Sequence, residues 1–325
     1  MRARPFIAAA CAIVAGLLAG HAQAQDYPAK PPKVVLPLQA GSAADIAVRH
    51  FAERLGEVLG RPLVVENITG AGGLIGTNRV VTEAADGYTL AALNMTILAI
   101  LPHMQPAQVK FDPMRDFEPI YGIATIPTLL GVSSSLPVDS VRQLIELAKA
   151  KPGELNYSSG GPGSPQHLAA EMFQSMTGTR LTHIPYKGAT SAAADLASGR
   201  VQVMFIAHSL AIPFLPEKRI KIIGFTGSRR GVSFPDLPTL SESGLPGYDY
   251  SSWAALYALK GTPAPVLGRL RQAAARALAA PGLPEQLAKS GLEIWATPPE
   301  QLTQALRADS ARWQKVVQEA NLVQK

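Results

Sequence analysis

Cysteine is nearly absent: one residue, Cys11, occurs in 325. A disulfide framework and a thiolate metal site are therefore excluded, and stability must come from a packed core. Charge is scarce at 17% and aromatics at 6%, while 47% of residues are hydrophobic, which places the chain among packed globular proteins and not among disordered ones. The net charge of +6 is mild. No long basic run and no aromatic–basic interleaving occur, so a nucleic-acid partner is not expected. Catalytic signatures are missing as well. No serine sits in a G-x-S-x-G elbow, no G-x-x-x-x-G-K-[ST] loop exists, and no histidine pair has zinc-ligand spacing. Gly70-Ala71-Gly72-Gly73-Leu74-Ile75-Gly76 fails the dinucleotide fingerprint because its third glycine would fall at Ile75. An exported hydrolase would need a nucleophile–base pair that these patterns do not supply. The expectation is a protein without cofactor or metal and without catalysis.

What is present begins with an export signal. Arg2 and Arg4 precede an apolar run over 6–20, and Ala22-Gln23-Ala24 fits a small-residue cleavage site before Gln25. The run is shorter than the roughly 20 residues needed to span a bilayer. Residues 1–24 are read as a cleaved signal peptide, and the mature chain as periplasmic. Cys11 would leave with the leader, and no lipobox precedes it.

Beyond the leader, short apolar runs alternate with helical periodicity. The runs are 34–38, 63–66, 89–93, 120–124, 128–132, 155–157, 181–184, 201–206 and 220–225. That alternation predicts an α/β fold with parallel sheets covered on both faces. Val48, Phe51, Ala52, Leu55 and Leu59 share one face of the first helix. After Trp253 the pattern is helical, near 264–280, 283–290, 299–307 and 309–320, so the tail is expected to pack on an earlier sheet. Proline, glycine and composition changes place lobe crossings near 124–127 and 244–252. The expected division is lobe 1 at 25–125 and 246–325, and lobe 2 at 126–245.

Two glycine-bearing loops carry the chemistry. Gln39-Ala40-Gly41-Ser42-Ala43-Ala44-Asp45 and Ser158-Ser159-Gly160-Gly161-Pro162-Gly163-Ser164-Pro165-Gln166 each hand a strand to a helix. A helix N-terminus presents unpaired N–H groups and about half a positive charge, so each loop can hold an anion without a charged side chain. Ser42 with Asp45 has capping-box spacing, and the Asp45 carboxylate repels a ligand unless it turns into its own cap. Ser164 with Pro165 is a strong helix start, and Ser159, Gly160, Gly163 and Gln166 add exposed amides and hydroxyls. Gly72 and Gly73, in a third strand-to-helix turn, are candidates for the same cleft, as is Asn94, just past the run 89–93. Among the histidines, His50 falls on a polar helix face, His103 follows Pro102 in a loop and His183 belongs to a strand. His167 and His208 are the two placed to meet a ligand.

The chain resembles the periplasmic solute-binding receptors of tripartite tricarboxylate transporters, the Bug receptors. The likeness spans 25–325. It rests on Tyr27-Pro28-Ala29-Lys30-Pro31, Val64-Val65-Glu66-Asn67 before Gly70-Ala71-Gly72-Gly73, and Asp86-Gly87-Tyr88-Thr89-Leu90. Ser164-Pro165-Gln166-His167-Leu168, His183-Ile184-Pro185-Tyr186-Lys187-Gly188, Pro235-Asp236-Leu237-Pro238-Thr239 and Gly244-Leu245-Pro246-Gly247-Tyr248 extend it. The resemblance implies a two-lobed periplasmic binding fold, crossed twice by the chain, that closes on a small carboxylate. It also implies that the two loops hold the carboxylate through backbone groups, hydroxyls and bridging waters. Delivery to transporter membrane subunits is the implied role, a sensor kinase the alternative partner, and a hinging receptor is expected to be monomeric.

Two departures mark this chain. Gln39 and Ser42 stand where relatives often have proline and glycine. Ile206-Ala207-His208 stands where relatives commonly show aspartate–asparagine. Loss of an acid there is expected to disfavour a ligand amine and to favour a less polar or more anionic distal end, so the expected ligand is a carboxylate without an ammonium group, aromatic or branched.

Overall fold

The computed structural model describes residues 27–319 and 322–323. The leader and its cleavage site lie outside the described residues. In chain order the elements are β1 (Lys33–Leu36), α1 (Ala43–Leu59), β2 (Val64–Asn67), α2 (Leu74–Val80), β3 (Thr89–Asn94), α3 (Leu101–Met104) and β4 (Phe117–Ile126). Next come β5 (Thr128–Ser133), α4 (Val141–Ala150), β6 (Asn156–Ser159), α5 (Pro165–Thr177), β7 (Thr182–Pro185), α6 (Ala189–Ala197), β8 (Val203–Ala207), α7 (His208–Ala211) and β9 (Ile220–Phe225). The chain finishes with β10 (Ser252–Leu259), α8 (Ala264–Leu278), α9 (Leu283–Lys289), β11 (Glu293–Thr297) and α10 (Pro299–Glu319).

The strands form two sheets, in the orders β11-β4-β10-β3-β1-β2 and β7-β6-β8-β5-β9. Helix signals act where the sequence places them. Ser42 caps α1 and left-handed Gly60 ends it, while Ser164 with Pro165 opens α5 and left-handed Gly178 closes it. The apolar stripe of α1 is buried at Val48, Phe51 and Leu55.

Both sheets are mixed, which corrects the expectation of parallel ones. β1 pairs parallel with β2 and β3, but β10 runs antiparallel to β3 and β4, and β5 antiparallel to β8 and β9. The cause is the route of the chain. β4 ends at Ile126 in the first sheet and β5 starts at Thr128 in the second, so β5 begins at the cleft and runs away from it. β9 then ends at Phe225, and the segment 226–251 leads back to β10, which also starts at the cleft. A strand that enters from a crossing must oppose the neighbours that run up to it, and hydrophobic periodicity carries no record of direction.

The tail is corrected too. It contributes β10, eight residues all buried, in the middle of the first sheet, and β11 at its edge. Sheet membership therefore continues past Trp253, and 299–319 is one helix where two were expected. His103 lies in α3 and not in a loop, with Nε2 2.9 Å from Ser310 Oγ.

The crossings are tied together. Thr226 donates through N and Oγ1 to Thr128 O, at 3.1 and 2.9 Å, and Tyr250 N donates to Thr226 O at 2.7 Å. Arg312 of α10 donates to Asp249 Oδ2 at 2.6 Å and to Asp309 Oδ1 at 3.1 Å. Trp253 Nε1 donates to Asp309 Oδ2 at 2.8 Å, and its ring stacks on Trp295 with centroids 5.3 Å apart. Trp313 packs edge-on against Tyr250 at 5.6 Å. Burial raises the Asp309 carboxyl above its ordinary range, against the lowering pull of Trp253 and Arg312. Among the described residues no helix is long and apolar enough to cross a membrane.

Candidate functional site

Between the sheets, at the cleft ends of their strands, lies a cavity of about 520 Å³. Three longer helices start on its wall, beside the short α2 and α7, whose N-caps Gly73 and Ala207 also lie there. Ser42, Ala43 and Ala44 open α1; Ser164, Pro165 and Gln166 open α5; Gly188 and Ala189 open α6. The side-chain cap of α1 reaches only Asp45 N, so the amides of Ala43 and Ala44 remain for a ligand. α6 has no side-chain cap at all. The third glycine segment, with positive φ at Gly70, Gly72 and Gly73, adds another stretch of bare backbone to the wall.

In the first loop the Asp45 question is settled by geometry. Its carboxylate accepts from Gly41 N at 2.9 Å, Arg49 Nε at 2.9 Å and Asn67 Nδ2 at 2.9 Å. The group is 3% exposed and lies off the cavity wall. Burial alone would raise its pKa, but the bonds from Arg49, Asn67 and Gly41 outweigh that and hold it below the ordinary carboxylate range. The capping box is thus half-made: Ser42 Oγ accepts from Asp45 N at 3.3 Å, and Asp45 returns a bond to Gly41 N instead of Ser42 N. Asn67 also donates to Leu38 O at 2.9 Å, which pins the loop to β2.

The second loop rests on neutral groups. Ser159 Oγ accepts from Gly161 N at 3.0 Å and lies 2.6 Å from His183 Nε2. Gly163 N donates to His167 Nδ1 at 3.3 Å, and the two imidazoles pack with centroids 4.5 Å apart. Burial pushes His167 down to about 4; burial, helped by neighbouring His167, does the same to His183. Both rings are neutral supports under the loop.

The loops meet across the cleft. A Cβ on Gly72 would lie 3.0 Å from the carbonyl carbon and oxygen of Gly163, and one on Gly188 would lie 1.5 Å from Gln39 Oε1. At Gly72, where the neighbour is backbone and φ is +67°, this approach favours glycine, whereas at Gly188 the neighbour is the flexible end of the Gln39 side chain.

Of the residues predicted from sequence, Gln39, Ser42, Ala43, Gly72, Gly73, Asn94, Gly160, Ser164, Pro165 and Gln166 lie on the wall. Ala40, Gly41, Asp45, Ser159, Gly163 and His208 do not. Gly41, Asp45, Ser159 and Gly163 form the scaffolding just described. His208 turns away: its ring sits edge-on to Phe234 at 4.5 Å, and a Cβ on Gly291 would lie 2.8 Å from its Nδ1. Asn94 faces the cavity with Oδ1 occupied by Ile97 N at 3.0 Å.

Sequence reasoning missed Ile126, Thr128, Tyr186, Lys187, Gly188, Ala189, Leu210 and Ser252, all on the wall. Tyr186–Ala189 carried a usable signal, because a glycine between β7 and α6 repeats the strand–glycine–helix arrangement of the other loops. Ser252 and Ile126 come together only by strand pairing.

No aspartate or glutamate lines the cavity, and Lys187 is its one charged residue among those described. Gln39 Oε1, Gln166 Oε1 and Ser252 Oγ are buried without a hydrogen-bond partner. Such groups cost roughly 1–3 kcal/mol each until a ligand or water satisfies them. The arrangement suits a small anion met by peptide amides.

Residues 47–322 match the model described as "Tripartite tricarboxylate transporter family receptor". BugT of Bordetella pertussis is 32% identical over 93% of this chain and 93% of its own length. Among solved structures, "R. palustris Rpa4515 with adipate" is 34% identical with a TM-score of 0.85, over 91% of this chain and 98% of that one. MatC of Rhodopseudomonas palustris "with bound malate" is 28% identical with a TM-score of 0.82, over 90% of this chain and 100% of that one. The architecture is the two-sheet fold of periplasmic binding proteins.

Proposed function

Because the chain belongs to the tripartite tricarboxylate transporter receptor family, we propose that it captures a small organic carboxylate between two closing lobes and delivers it to the membrane subunits of its transporter. It is a binding receptor and not an enzyme. The observation that carries the ligand class is the convergence of the N-termini of α1, α5 and α6 on one cavity that no acid lines. Solved relatives with adipate and malate support the class.

In this reading the lobes are 25–125 with 246–325, and 126–245, hinged at the two crossings. Gln39, Ser42, Ala43, Gly72 and Gly73 meet the ligand from one side, and Gly160, Ser164, Pro165 and Gln166 from the other, with Asn94 at the floor. A ligand touching both favours the closed state by contacts that the open state lacks. Micromolar affinity needs about 8 kcal/mol, within reach of charge-assisted amide bonds plus apolar burial. Export by cleavage after Ala24, and a monomeric receptor, complete the proposal.

The test is a thermal-shift screen of the chain starting at Gln25 against mono-, di- and tricarboxylates, aromatic acids and amino acids. A saturable rise in Tm with a carboxylate is expected. No response to any carboxylate, beside a clear response to a cationic or neutral solute, overturns the proposal.

A further inference from the structure

The cavity has two unlike ends. β1, β3, β10 and β4 are consecutive neighbours in the first sheet, so the first glycine loop after β1 stands three strand spacings from Ile126 at the end of β4, roughly 14 Å. The second sheet repeats the direction: Gly160 follows β6, whereas Ala207 ends β8 and Thr128 begins β5. The starts of α1, α5 and α6, and Lys187, fall at the glycine-loop end, where Gly188 lies against Gln39 and Gly160 against Ala189. Among the described residues, only the four-residue α7 starts at the other end, after Ala207.

The far end is built from Ile126, Thr128, Ala207, Leu210 and Ser252. None is charged. Thr128 Oγ1 is already committed to Ile126 O at 3.3 Å. Ser252 is 4% exposed, and its Oγ has no partner. A second carboxylate placed there would be buried without a cation, beside a single helical turn whose first amide, His208 N, already donates to Pro127 O. An ammonium would be buried without an acid, and both are unfavourable.

We infer that the ligand is a monoanion: one carboxylate at the amide end, and a largely apolar, uncharged tail whose single neutral hydrogen-bonding group meets Ser252. The inference rests on the carboxylate reading above and narrows it, because Ser252 and Ala207 become the residues that choose the tail.

The experiment is calorimetry with two matched series: hexanoate, 6-hydroxyhexanoate, adipate and 6-aminohexanoate; and benzoate, 4-hydroxybenzoate and terephthalate. In the series that binds, the neutral-tailed acids should exceed the doubly charged ones by at least about tenfold in affinity. The hydroxylated member should bind best, and Ser252→Ala should erase its lead over the unsubstituted acid. Ala207→Lys should reverse the order in favour of adipate or terephthalate. Adipate or terephthalate binding as tightly as its neutral counterpart to the unaltered protein overturns the inference while leaving the carboxylate reading intact. Failure of all seven compounds overturns the inference, and a response to non-acidic solutes beside that failure overturns the carboxylate reading as well.

Discussion

The two principal loops use the same device on opposite supports. Each presents the start of a helix to the cavity behind a serine cap. The first is held by an ionic knot of Asp45, Arg49 and Asn67 that is partly open to solvent on the Arg49 side. The second is held by half-buried neutral histidines, with the Glu171 carboxylate 3.9 Å from His167 Nε2. The difference teaches how amides can face an anion while a carboxylate stands in the first turn of the same helix. Asp45 is neutralised behind the loop, so its charge does not oppose the helix dipole at the ligand's position.

That contrast can be broken most forcefully where the loops touch. Gly72→Val places side-chain atoms against the Gly163 backbone, at a φ of +67° that valine resists. Ligand affinity should fall on the order of 100-fold by calorimetry, with the circular dichroism spectrum retained. Next comes the ionic knot. Asp45→Ala removes acceptors from Gly41, Arg49 and Asn67 and should lower unfolding free energy by about 1–3 kcal/mol in urea titrations. His183→Gln in the second loop should leave the Arg49–Asn67 pairing intact while loosening Gly161, read by faster amide exchange there.

Acid should separate the loops. His167 and His183 protonate near 6.5 when unfolded and at about 4 when folded, so the unfolded chain binds more protons between those values. The stability of the neutral pair is complete above about 6.5 and is lost progressively as pH falls toward about 4. Asp45, held below 3.8, keeps its contribution through that window and gives it up only at lower pH. Exchange at Gly163 should therefore accelerate between those pH values before exchange at Gly41 does. The smallest effect is that of the caps: Ser42→Ala and Ser164→Ala should each cost about 1 kcal/mol and resemble each other closely.

Much of this architecture was legible because local chemistry wrote it. Ser42 and Ser164 with Pro165 marked their helix starts, and the β1 and β6 runs marked the strands before them. β10 escaped because Ser252–Leu259 is rich in alanine, a helix former, and becomes a central strand only through its neighbours. The far end of the cavity escaped for a related reason. Ile126 and Ser252 lie far apart along the chain and face each other only as a registered pair. His208 misled because it follows a strand end that reaches the cavity, yet Ala207 supplies the wall and the imidazole is drawn to Phe234.

The indole side chains carry a practical consequence. All three tryptophans of the chain cluster around the return crossing: Trp253 stacked on Trp295 beside Ser252, and Trp313 against Tyr250. Occupancy and closure can therefore be followed by intrinsic fluorescence, without any attached dye. Quenching or a wavelength shift should track saturation, with Trp253 as the principal reporter because it adjoins the residue facing the ligand's tail.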